Sequence, residues 1–131
     1  MSIFGAIGIA STGLTVHRKW LDAVSDNLAN LSTVTKTSEA AYQAKYVVAQ
    51  ENAAGEGVSV KGIALGSAEG RLTYAPDNPL ADAKGYVRMP DIDMASQMTQ
   101  LIMAQRGYQA NAAVVDRAKE TYTAALQIGR S

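Results

Sequence analysis

The chain has 131 residues, with 12 Lys plus Arg set against 12 Asp plus Glu, 47% hydrophobic residues, only 6% aromatics and no Cys. This length fits one ordinary domain or one elongated subunit, and the even spread of balanced charge argues against nucleic acid or a polybasic membrane anchor as partner. The missing Cys rules out disulfides, zinc thiolates and Cys nucleophiles. Much of the apolar fraction is Ala, which buries little area and favours close helix–helix contact over a thick core.

From the N-terminus, Ile3 to Leu14 is apolar and Gly-rich, like the central region of a signal peptide. The first positive charges, Arg18 and Lys19, fall after the run, and no convincing small-residue cleavage site follows. The run is far short of the roughly 20 apolar residues that span a bilayer. It reads as mature sequence, so any export is expected to proceed without a cleaved signal.

Residues 3 to 31 carry a seven-residue repeat. Ile7, Leu14, Leu21 and Leu28 form one row, and Ile3, Ala10, His17, Val24 and Leu31 form the second. A helix is expected here, firm from about Leu14 and softer before it, because Gly5, Gly8 and Gly13 each cost about 1 kcal/mol relative to Ala. Asn27 and Asn30 fall near its end, where Asn caps or adopts the left-handed turn.

Residues 34 to 90 change character. Tyr42, Ala44, Tyr46 and Val48 alternate with Gln43 and Lys45, which suggests a strand. Val58 and Val60 alternate, and Ile63 and Leu65 continue one place out of register, with Gly62 at the slip as a bulge or turn requires. Arg71–Tyr74 and Tyr86–Met89 are two further short strands, and 77–79 and 82–85 carry turn chemistry. The repeated spacing of Gly62, Gly66 and Gly70 reads as loop, since Ser67, Glu69 and Arg71 interrupt any apolar span. The middle is expected to be a small β-rich module or an extended arm.

Residues 91 to 131 read as a second assembly helix, reaching Gly129 and about 55 Å long. Pro90 blocks helix before it, and Asp91 and Asp93 suit its N-terminal end. Met94, Leu101, Tyr108, Val115 and Tyr122 recur every seven residues, with Ala104, Asn111, Ala118 and Ala125 on the row three places on. The fold class is therefore mainly α with a small β-rich middle, its two long terminal helices packed as a coiled-coil-like pair. Residues 1–33, 34–90 and 91–131 form its three parts. A pair this thin leaves apolar stripes for helices of other subunits.

Candidate chemistry is sparse. Asp91 and Asp93 could be paired carboxylates or cation ligands, but capping explains both and no third acidic residue is close. His17 sits on a seam without a Ser or Cys partner, as a packed or hydrogen-bonded imidazole would. Asn111 is either a register-setting polar contact in an Ala-rich seam or an exposed residue beside it. No phosphate loop, dinucleotide fingerprint or metalloprotease motif occurs. A structural subunit, a cytoplasmic coiled-coil adaptor and a small enzyme built on Asp91, Asp93 or His17 are the three readings, and the first has the most support.

The ends carry recognisable motifs. Ser25-Asp26-Asn27-Leu28-Ala29-Asn30-Leu31-Ser32-Thr33 closes the first helix. Gly85-Tyr86-Val87, Pro90-Asp91-Ile92-Asp93 and Gln105-Arg106-Gly107-Tyr108-Gln109-Ala110-Asn111 mark the second. Together they resemble the flagellar axial proteins, the bacterial rod, hook and hook-associated subunits. Pro76-Asp77-Asn78-Pro79 followed by Ala81 to Val87 is similar to the proximal-rod members among them. Gly107 departs from the pattern, which usually carries Ser or Ala there. The resemblance implies a non-enzymatic subunit of the rod that crosses the periplasm and transmits torque. It implies type III export without a cleaved signal and no cofactor, metal, nucleic acid or small-molecule substrate. The implied partners are copies of the chain, other proximal-rod proteins, the distal-rod protein and the membrane-embedded ring base. The assembly residues expected from the repeats and motifs are Ile7, Leu14, Leu21, Val24, Asn27, Leu28, Asn30, Leu101, Tyr108, Asn111, Val115 and Tyr122.

Overall fold

A computed structural model describes residues 2–130; Met1 and Ser131, the outermost residues of the expected terminal segments, lie outside the described residues. The first helix, α1 (Ile3–Ala29), is continuous through its glycines. Ser2 caps it by accepting the Gly5 N–H at 3.0 Å, and the Phe4 ring rests edge-on against Tyr122 with centroids 5.4 Å apart. Capping and packing thus hold the Gly-containing turns that propensity alone would leave weak. The helix ends two residues earlier than its apolar repeat. Asn30 is the C-cap at φ −103°, with its N–H donating to Asp26 O, so it does not take the left-handed turn. Its side chain instead donates to Asp26 O and accepts from the Thr33 hydroxyl.

The middle holds two separate antiparallel pairs. Strands β1 (Lys45–Glu51) and β2 (Val58–Leu65) form one, and β3 (Arg71–Tyr74) and β4 (Tyr86–Met89) the other. Val48 pairs with Gly62 and Ala49 with Val60, which leaves Lys61 as the extra residue of a bulge at the expected slip. The expected strand from Tyr42 begins only at Lys45. Tyr42 and Ala44 belong to the preceding loop, where Ala44 is buried and the Tyr42 hydroxyl reaches Asn27 Oδ1 at 3.4 Å. Their alternation came from loop packing, not from a ladder.

The β3–β4 pair is tied to the loop after α1. Thr35 and Arg88 exchange both backbone hydrogen bonds at 2.9 Å, and the Arg88 guanidinium donates to Thr37 O at 2.7 Å and also to Glu69 O. Asp82 organises the turn into β4: its Oδ1 accepts the N–H groups of Lys84 and Tyr86, each at 2.9 Å, and its Oδ2 accepts the Thr37 hydroxyl. These bonds, led by the one from Tyr86, hold the Asp82 carboxyl below the usual range.

The second helix, α2 (Met94–Ile128), is capped by Asp93, which accepts the Ser96 N–H at 2.8 Å. Asp91 takes no part in the cap and is exposed, whereas Ile92 between them is buried. The two helices pair along their length, and the β1–β2 hairpin lies along α1. The largest fully buried side chains are Val24, Val87, Asn27 and Pro90. The core therefore contains little bulk, as the Ala-rich composition demands.

Candidate functional site: the terminal helix pair and its open face

The contacts Phe4–Tyr122, Trp20–Gln100 and Asn27–Gln97 set α1 and α2 antiparallel. At mid-length the helices close on a reciprocal arrangement. On α1, His17 Nδ1–H donates back to Gly13 O at 2.7 Å; on α2, Asn111 Nδ2 donates back to Gly107 O at 2.8 Å. Each polar side chain then fills the hollow left by the other helix's glycine. A Cβ on Gly107 would stand 2.2 Å from His17 Nε2, and one on Gly13 would stand 2.5 Å from Asn111 Oδ1. Both pairs are spaced i, i+4, so each glycine and its polar partner share one helix face. The departure at Gly107 is thus explained locally: the imidazole occupies the volume a Ser or Ala side chain would need. Asn111 is a seam contact, not an exposed neighbour of the seam.

Nearer the core end, Asn27 is fully buried and uses all its hydrogen-bonding capacity. Its Nδ2 donates to Lys45 O at 2.9 Å and to Gln97 Oε1 at 3.0 Å. Its Oδ1 accepts the Lys45 N–H at 2.7 Å and the Tyr42 hydroxyl. One side chain therefore joins α1, α2 and the start of β1. Beside it, Lys45 Nζ pairs with Asp26 at 2.8 Å, and this hydrogen bond raises the Lys45 pKa. Burial raises the Tyr42 pKa.

The expected assembly residues fall into two groups. Val24, Asn27 and Asn111 lie in the seam itself, with Ala10, Ala104 and buried Gln97. Asn30 caps α1. Ile7, Leu14, Leu21 and Leu28 do not form the seam but run beside it, half-buried. On α2, Leu101 and Val115 are half-buried, and Tyr108 and Tyr122 are exposed at 36% and 41%. Leu14 and Tyr108 share one open hollow with Ser11, Thr15 and Arg18. Helical periodicity places Leu21 on the same flank of α1 as Leu14, and Leu101 on the same flank of α2 as Tyr108. Met94 and Met98 extend the α2 side, whereas Ile102, one residue past Leu101, lies about 100° further round and points away from α1; all three are exposed. Apolar Leu14, Leu21, Leu101, Tyr108, Met94 and Met98 thus lie on one side of the helix pair, with Ser11, Thr15 and Arg18 among them, and this side is the open face. The turns of α2 after Tyr122 run beyond the start of α1, because Phe4 already meets Tyr122.

Sequence reasoning missed the partnership of Gly13 with Asn111 and of His17 with Gly107, as well as Gln97. The matched i, i+4 spacing of Gly13/His17 and Gly107/Asn111 was its one available signal. His17 Nδ1 is bonded to Gly13 O and Nε2 faces Gly107, while Asp93 is a cap. Among the described residues no group of three His, Asp or Glu side chains is placed to hold a metal ion. No helix among them is long and apolar enough to cross a membrane.

Residues 83–128 match the family described as flagellar basal body rod FlgEFG protein C-terminal. Over almost its whole length the chain is also similar to curated flagellar basal-body rod proteins FlgC. It is 39% identical to that of Escherichia coli O6:H1, with 99% of this chain and 100% of the relative aligned. For Salmonella typhimurium the identity is 38% with the same coverage. The more distant Borreliella burgdorferi protein is 31% identical, with 98% of each aligned.

Proposed function

Since the chain belongs to the FlgC family of flagellar basal-body rod proteins, we propose that it is a structural, non-enzymatic subunit of the basal-body rod, joined to its neighbours through the open face of its terminal helix pair. The observation that carries this reading is surface area. The chain exposes 8509 Å², whereas a compact monomer of 13.8 kDa exposes about 6,600 Å². The excess of about 1,900 Å² is roughly twice the 800 Å² or so that one partner loses in a standard interface, enough for contacts with two neighbours. Large apolar side chains such as Met94, Met98, Ile102 and Tyr108 stand exposed to solvent, a pattern that marks interaction surfaces.

In this reading the subunit lies in the periplasmic rod and helps transmit torque across it. It is exported by the flagellar type III apparatus without a cleaved signal, and it contacts proximal-rod proteins, the distal-rod protein and the ring base. The seam contacts at Gly13, His17, Gly107 and Asn111 fix the register of the two helices, so that the rows of α1 and α2 on the open face keep a constant offset.

The test is complementation of a strain lacking this subunit. Removing α2 from Tyr122 onward takes away the Phe4 contact and the overhanging turns, and should abolish both motility and recovery in basal bodies. A deletion within residues 52–57, at the tip of the β1–β2 hairpin, should be milder. Normal assembly of the truncated form, with failure of the loop deletion, would move the contacts to the middle module.

A further inference from the structure

The β1–β2 hairpin and the open helix face lie on opposite flanks of α1. Thr12, Val16 and Trp20 receive the hairpin: the Val58 N–H donates to the Thr12 hydroxyl at 3.1 Å, and Val16 and Trp20 line an apolar crevice with Val47, Ala49 and Val58. Leu14 lines the hollow on the other side with Tyr108. Leu14 and Val16 are two residues apart, which is about 160° around a helix. The hairpin also carries unburied apolar side chains of its own. Tyr46 and Val48, 37% and 40% exposed, alternate with inward Val47 and share the outer side with their partners Ala64 and Gly62, while Ile63 pairs with Val47 and Leu65 with Lys45 on the inner side. The subunit therefore presents apolar surface on two opposed sides.

From these placements we propose that the outer side of one copy's β1–β2 hairpin seats on the helix face of the next copy, beside Leu21 and Leu101. This inference rests on the rod-subunit reading and names the occupant of its open face. Two observations favour a second copy in this arrangement. A two-fold contact of helix face on helix face would leave every hairpin uncovered, whereas a head-to-tail contact covers both surfaces and can be repeated from copy to copy, as an extended assembly needs. The area also agrees. A standard contact buries about 800 Å² on each partner, so a copy with neighbours on both sides loses about 1,600 Å², close to the excess of about 1,900 Å² over a compact monomer. With 12 basic and 12 acidic side chains, identical copies meet without net repulsion.

The chain contains no Cys, so introduced thiols are unique. Differently tagged Val48→Cys and Leu21→Cys chains would be produced together with tagged wild-type chain, and the isolated basal bodies oxidised. Tyr46→Cys with Leu101→Cys serves as a second pair. The expected product is a mixed disulfide joining the two tags, absent when either variant is produced alone. The same oxidation of the purified mixed chains at high concentration covers the case in which a variant fails to enter the rod. A Leu21→Cys disulfide with itself and no mixed product would show a two-fold contact and overturn the proposal. No mixed product from either pair in either setting would overturn it too, by showing that another protein covers the face. Recovery of tagged wild-type chain in the basal bodies reports separately on the rod-subunit reading.

Discussion

Replacing Gly107 by Ala tests the reciprocal seam. In an ordinary helix interior this change stabilises by about 1 kcal/mol, because Ala has the higher propensity. Here the new Cβ would lie 2.2 Å from His17 Nε2 and 2.3 Å from Cδ2. The ring cannot withdraw without giving up its bond to Gly13 O, 2.7 Å away. Overpacking of this kind costs about 1–3 kcal/mol, and the lost hydrogen bond about 1 kcal/mol more. The net expectation for Gly107→Ala is a destabilisation of about 1–3 kcal/mol. In a His17→Ala background the obstacle is gone and the same change should stabilise by up to about 1 kcal/mol. The assay is urea unfolding of the four full-length chains followed by helical circular dichroism, read as a double-mutant cycle. A coupling of about 2 kcal/mol or more is expected from those terms. Equal effects of Gly107→Ala in both backgrounds would refute the claim that the imidazole fills the glycine's hollow.

Further outcomes follow from the same structure. Asn27→Leu strands the Lys45 amide and carbonyl and the Gln97 side chain, and at about 1–3 kcal/mol for each buried orphan it should lower stability by at least about 3 kcal/mol. Faster hydrogen exchange at the Lys45 amide should accompany it. Asp82 has a folded pKa below its ordinary value, so its contribution is full above the ordinary carboxylate range and lost as pH falls through the folded value. Wild type should therefore lose more stability than Asp82→Asn on acidification below that range, and parallel pH profiles would contradict the role given to this turn. Gly13→Ala, facing Asn111 Oδ1 at 2.5 Å, should likewise fail to give the stabilisation that helix propensity alone promises, as judged by thermal unfolding.

The sequence made the element order legible because its strongest signals are local. Seven-residue spacing marked both helices, Pro90 and Asp93 marked the start of α2, and the slip at Gly62 marked the bulge beside Lys61. The two short strands Arg71–Tyr74 and Tyr86–Met89 were visible by their flanking turn residues. The seam was less legible. The bulkiest row, Ile7, Leu14, Leu21 and Leu28, looked like the natural pairing surface, yet the helices close on smaller and polar residues. Close approach needs glycine opposite His17 and Asn111, and hydrophobicity does not report that fit. Asn27 was read as a helix-end residue because capping is what a local pattern shows. Its bonds to Lys45 and Gln97 span long sequence separations that no local pattern encodes.

The central claim is that the open helix face, and not exposed apolar surface in general, joins the subunit to the rod. Leu21→Asp places a carboxylate on that face beside the seam, where burial of Leu is worth about 1.5–3 kcal/mol and an unpaired charge costs more. Leu72→Asp makes the same chemical change at an exposed position of β3. The measurement is the amount of each variant recovered in basal bodies relative to its amount in the cell, with circular dichroism of the purified chains confirming equal helix content. The account predicts loss of Leu21→Asp from basal bodies and near-normal recovery of Leu72→Asp. Equal recovery of both, with helices intact, would contradict it.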